Sequence, residues 1–267
     1  MDQVKAFPCK KIVFSQNFEY LLELLPIGKR WNVDFGFNDV ITTTQRQAQQ
    51  LQALFPSIKT HVVPVSIPEY FKPSEKPKRP IVVLSTRNQS DVTKIVKSFY
   101  LQFPIYKWVS FKELKNIPRK DFASELGQAC LAIWIDNESS FGTFPLEAME
   151  SDTPVIGKIP NMVPEWMDAV DTDGNLVLRN NGIWTNSTTN IPELIATYLK
   201  VWFEDSIPAD LVNGIKESQK QYTPEKQVVI LTEVYNTLIN NRIEEFNGLI
   251  KVLEEQLLQL ESVPNNQ

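Results

Sequence analysis

The sequence contains one histidine, His61, so a site built from several imidazoles is excluded. Cysteine is almost as scarce. Cys9 and Cys130 stand far apart, and Cys130 lies in an apolar run, so the expectation is two reduced thiols in a cytoplasmic protein rather than a disulfide framework. Basic runs are missing and the formal net charge is −5, which disfavours a nucleic-acid partner. No apolar stretch approaches the roughly 18 residues of a membrane span. The opening residues Met1-Asp2-Gln3-Val4-Lys5 carry no apolar core of a secretory signal. The only Asp-x-Asp, Asp171-Thr172-Asp173, runs into Gly174 and reads as a surface turn, so no metal is expected. What is present is ordinary globular composition: 42% hydrophobic and 22% charged over 267 residues, enough for two small domains or one large one.

One stretch organises the rest. An apolar run at 130–135 is followed by Asn137-Glu138-Ser139-Ser140-Phe141-Gly142-Thr143-Phe144-Pro145-Leu146-Glu147-Ala148-Met149-Glu150, then by a second apolar run at 153–157. Strand, polar loop with a glycine, short helix and strand make a βαβ unit of a parallel sheet. Gly142 permits a tight turn and lets a ligand approach the backbone. Pro145 suits the first helical turn. The amides of that turn, near Thr143, Phe144 and Leu146, present partial positive charge to a phosphate. Glu138 and Glu147 flank the turn. A carboxylate repels phosphate, so these two should serve hydroxyls. Phosphate beside hydroxyls describes a nucleotide sugar. Taken alone, a strand–Gly–helix junction is more often a plain connection than a site.

Phe141-Gly142-x-x-x-Leu146-Glu147-Ala148-Met149 followed by Pro154-Val155-Ile156 resembles the acidic signature of retaining glycosyltransferases of the GT-B fold, in particular family 4. The resemblance covers roughly residues 10–240. It implies that Ser140, Phe141, Gly142, Thr143 and Phe144 bind the donor and that Glu147 binds its ribose. The family's first glutamate aligns with Ser139, and Glu138 stands one place earlier. Asp152 replaces the glycine before Pro-Val-Ile. The resemblance also implies an arginine at the end of the first strand of the second domain, matched by Arg87. A lysine soon after is matched loosely by Lys94. Both would meet the diphosphate, with Arg87 and Glu138 in the catalytic roles and no metal or other cofactor. Members usually carry about a hundred further residues at the start, with acceptor-side groups; residues 1–78 fit only the end of that first domain.

The chain reads as a GT-B-like α/β protein. A reduced N-terminal α/β unit spans 1–78, with strands at 11–17, 39–44 and 60–67 and helices at 18–25 and 45–55. His61 reads as a packed strand residue. Proline and charge at 72–80 mark a linker. A Rossmann-like doubly wound domain spans 79–222, with strands at 81–85, 107–110, 130–135, 154–157 and 175–178 and helices at 91–103, 119–129, 191–202 and 209–218. Thr223 caps a long helix in the third segment, 223–267. There Ile239, Ile243, Phe246, Ile250, Leu253, Leu257 and Leu260 step by four and three, as a heptad seam requires. Gly248 weakens that helix by roughly 1 kcal/mol relative to Ala. The face either docks on its own domain or, as the narrow seam favours, joins a second copy through 239–260.

Two functions follow from these residues. The first is a retaining glycosyltransferase acting on a nucleotide-sugar donor. The second is a non-catalytic GT-B-like subunit that works by assembly. A separate chain supplying the missing half would reconcile them.

Overall fold

A computed structural model describes residues 9–86, 89–136 and 141–261. The first unit is a parallel three-stranded sheet, β1 (Lys11–Ser15), β2 (Phe37–Thr42) and β3 (Lys59–Val62), in the order β1-β2-β3. It carries α1 (Phe18–Glu23), α2 (Trp31–Phe35) and α3 (Gln45–Leu54). Leu21, Trp31, Phe35, Phe37, Val40, Leu51 and Ile58 form its core. Thr44 caps α3, its side chain accepting from the Gln47 amide at 3.1 Å.

The second unit is a parallel five-stranded sheet. Its strands are β4 (Arg79–Thr86), β5 (Ser110–Glu113), β6 (Ala129–Ile135), β7 (Val155–Lys158) and β10 (Ile183–Thr185), in the order β10-β7-β6-β4-β5. A separate antiparallel hairpin pairs β8 (Asp168–Val170) with β9 (Leu176–Leu178). Strand residues alternate between two cores. Val82, Leu84, Leu131 and Ile133 face α4 (Gln89–Gln102) and α7 (Ile191–Phe203). Ile81, Val83, Ala132 and Trp134 face α5 (Arg119–Gln128), α6 (Thr143–Glu150) and α8 (Ala209–Gln219). Burial on both faces explains why β6 is apolar at every position. The chain leaves β4 toward β5 on one side and returns as β6 on the other. The carboxyl ends of β4 and β6 therefore bound the crevice where open parallel sheets bind ligands.

The ends of several elements differ from the sequence expectations. The strand expected at 107–110 lies at Ser110–Glu113, because residues 107–109 form the turn leaving a short helical stretch at Pro104–Tyr106. Segment 175–178, read as the last strand of the large sheet, pairs in the hairpin, and β10 takes the sheet edge. The last helix, α9 (Pro224–Glu261), is held at its start. Gln227 Nε2 donates to Pro64 O at 2.8 Å and Ser66 Oγ donates to Gln227 Oε1 at 2.8 Å. No helix among the described residues is long and apolar enough to cross a membrane.

Candidate donor site

The turn between β6 and α6 is built on tryptophan. Gly142 takes φ +70°, and a β-carbon there would lie 2.6 Å from Trp134 Cζ2. Backbone sign and neighbour both demand glycine. Trp166 Nε1 donates to Phe141 O at 2.5 Å, tying the turn to the loop after β7. The rings of Trp134 and Trp166 lie 5.8 Å apart, and those of Trp166 and Trp184 lie 5.7 Å apart. Among the described residues no side chain caps α6, and a first helical turn has no intrahelical acceptor for its amides. Phe141 and Phe144 are buried, against Tyr222 and Phe122 respectively, so their side chains belong to the core. Thr143 is exposed at the head of the helix.

Glu147 lies one turn further in and is 5% exposed. Arg119 Nη2 donates to its Oε1, in an ion pair between the first residue of α5 and the middle of α6. The Arg119 guanidinium carbon stands 5.0 Å from the ring centres of both Phe71 and Phe122. Burial pushes the Glu147 carboxyl above its ordinary range, and the Arg119 charge opposes that shift. Sequence reasoning found Glu147 but not its partner, which stands 28 positions away.

Arg87, Glu138 and Ser140 lie outside the described residues. Lys94 is exposed on α4, the helix packed on the opposite sheet face from α5, α6 and α8. His61 is paired within the first unit, Nε2 lying 2.9 Å from Asp39 Oδ1. Among the described residues no group of three or more His, Cys, Asp and Glu side chains could hold a metal ion.

A second set of residues joins the two sheets and was not expected from the sequence. The Arg46 amide, in the first turn of α3, donates to Glu165 Oε1 at 2.6 Å. Its guanidinium donates to Val163 O and, at 2.5 Å, to Asp168 Oδ2. The latch closes on the same loop that carries Trp166.

No family model matches this chain. Over 120 residues it is 29% identical to an alpha-1,6-glucosyltransferase of Actinobacillus pleuropneumoniae serotype 7 (strain AP76). The match covers 44% of this chain and 36% of that relative, so the chain spans about a third of that protein's length. Its structure is similar to sucrose-phosphate synthase from Thermosynechococcus elongatus, with a TM-score of 0.62 at 13% identity over 90% of this chain and 70% of that one. It is similar to Anabaena HepE, solved with UDP and glucose, with a TM-score of 0.57 at 12% identity over 86% and 71%. The pneumococcal O-GlcNAc transferase GtfA, solved with UDP and GlcNAc, gives 0.54 at 15% identity over 77% and 45%. The chain shares the α/β fold of these proteins.

Proposed function

We propose that this chain binds a nucleotide-sugar donor at the Gly142 turn and takes part in transferring its sugar to an acceptor with retention of configuration. The observation that carries the reading is the start of α6 at the Gly142 turn, beside a buried carboxylate, at the carboxyl ends of adjacent parallel strands. The α6 amides meet the diphosphate. Glu147 accepts from the ribose hydroxyls. Thr86 pairs with Ile135 in neighbouring strands, at the carboxyl ends of β4 and β6. In this reading Arg87 neutralises the leaving diphosphate and Glu138 faces the oxocarbenium-like centre, with Ser140 and Lys94 as further donor contacts and protein groups rather than a metal meeting the charge. The alpha-1,6-glucosyltransferase and the UDP-bound neighbours support a uridine or related diphosphate donor.

Thermal unfolding with added nucleotides tests this. A ligand at 100 times its Kd stabilises by about 2.7 kcal/mol. UDP or GDP, with their sugars, should raise Tm while uridine and guanosine alone do so far less. No shift with any nucleoside diphosphate at millimolar concentration would overturn the reading.

The partner proposed for α9 is a second copy. Ile239, Ile243, Phe246, Ile250 and Leu253 follow the four-and-three spacing, yet each is between 42% and 59% exposed in the single chain. An apolar stripe of that length calls for a cover.

A further inference from the structure

We infer that Arg119 is a positioning residue for the donor site: seated against the rings of Phe71 and Phe122, it holds Glu147 through Oε1 and leaves Oε2 for the ligand's hydroxyls. The inference rests on Glu147 being the ribose ligand. A guanidinium is planar, and its N–H groups lie in its plane. The two rings, 6.2 Å apart and nearly perpendicular, form a corner against which the guanidinium packs, and from there Nη2 donates to Glu147. One wall of that corner, Phe122, belongs to α5. The other, Phe71, belongs to the segment that joins the two sheets and is 1% exposed. The path of the connecting segment is thus coupled to the carboxylate in the crevice.

The pair also answers an electrostatic difficulty. A carboxyl on the apolar side of α6 is pushed toward its neutral form by burial. A neutral acid carries a proton of its own and cannot accept from two adjacent hydroxyls as a carboxylate does. The Arg119 charge pulls the other way, while its half-exposed side chain keeps the arginine solvated. A lysine supplies charge without the planar guanidinium, and alanine supplies neither.

The test compares wild type with Arg119→Lys and Arg119→Ala, each checked for folding by circular dichroism. The Glu147 carboxyl carbon is followed by ¹³C NMR against pH, assigned with Glu147→Gln, and UDP and GDP binding is titrated from pH 5 to 8. In Arg119→Ala the Glu147 titration should move to higher pH, and the acid loss of nucleotide binding should move with it. Each unit of that displacement costs about tenfold in affinity below the new midpoint. Arg119→Lys should restore the pH profile and only part of the affinity. Binding and titration curves in Arg119→Ala that match those of wild type would overturn the inference while leaving the donor site standing. Wild type that binds neither nucleotide would remove the donor reading, and with it this role for Arg119.

Discussion

Gly142 and Trp134 meet without room for a methyl group, a β-carbon on Gly142 falling 2.6 Å from Trp134 Cζ2. The positive φ alone costs a non-glycine residue roughly 1–2 kcal/mol, and the collision adds to it. Gly142→Ala should therefore lose at least about 2 kcal/mol in urea unfolding. Trp134→Phe removes the colliding part of the ring, so the double variant should lose less than the sum, with a coupling on the order of 1 kcal/mol. Additive losses would place the strain elsewhere.

The buried Glu147 sets stability against binding. Its folded carboxyl titrates above the unfolded value, with burial as the leading cause. The folded state therefore holds this proton more tightly than the unfolded chain. Its contribution is fully present below the unfolded pKa of about 4.3 and is lost as pH rises through the folded value. Glu147→Gln should abolish that loss. The variant should gain stability relative to wild type between pH 4 and pH 7 while binding nucleotide poorly. Parallel stability curves for the two proteins would contradict this.

The latch at Arg46 should stabilise the junction of the two sheets. The Arg46 side chain is 30% exposed and that of Asp168 is 12% exposed, so their pair is only partly screened. Arg46→Ala should cost about 1–3 kcal/mol, and cleavage by a protease within 63–78 should quicken. Asp168→Ala on top of it should add little, since the two share one interaction. Unchanged cleavage would show that other contacts hold the junction.

Truncation after Asn240 removes the exposed seam beyond Ile239 and leaves the Gln227 anchor in place. If α9 pairs with a second copy, light scattering should give twice the chain mass for the full protein and one chain mass for the truncated form. Equal masses would show that the seam does not hold copies together.

The unit that carries the site was legible because its signals are local. The apolar run, Gly142, Pro145 and the second apolar run reappear as β6, the turn, α6 and β7 within a residue or two. What escaped depends on distance. Nothing near Arg119 marks it as the partner of Glu147, because the pairing exists only once α5 and α6 lie side by side. Arg46 looked like any helical cation until the loop after β7 came to meet it. Short elements escaped for another reason: β10 and α2 have three and five residues, too few for a period to show. Segment 175–178 carries the apolar run of a strand and is one, but Gly174 turns it back on β8 instead of into the sheet.

Isothermal titration of UDP and GDP into wild type and Glu147→Ala at pH 7.5 tests the central claim most directly. The account expects one site per chain in wild type for at least one of the two nucleotides, and a loss of about 1.5–3 kcal/mol of binding free energy in the variant, the range for hydrogen bonds to a charged group. Tight binding that is equal in both proteins, or no heat in either, would contradict it.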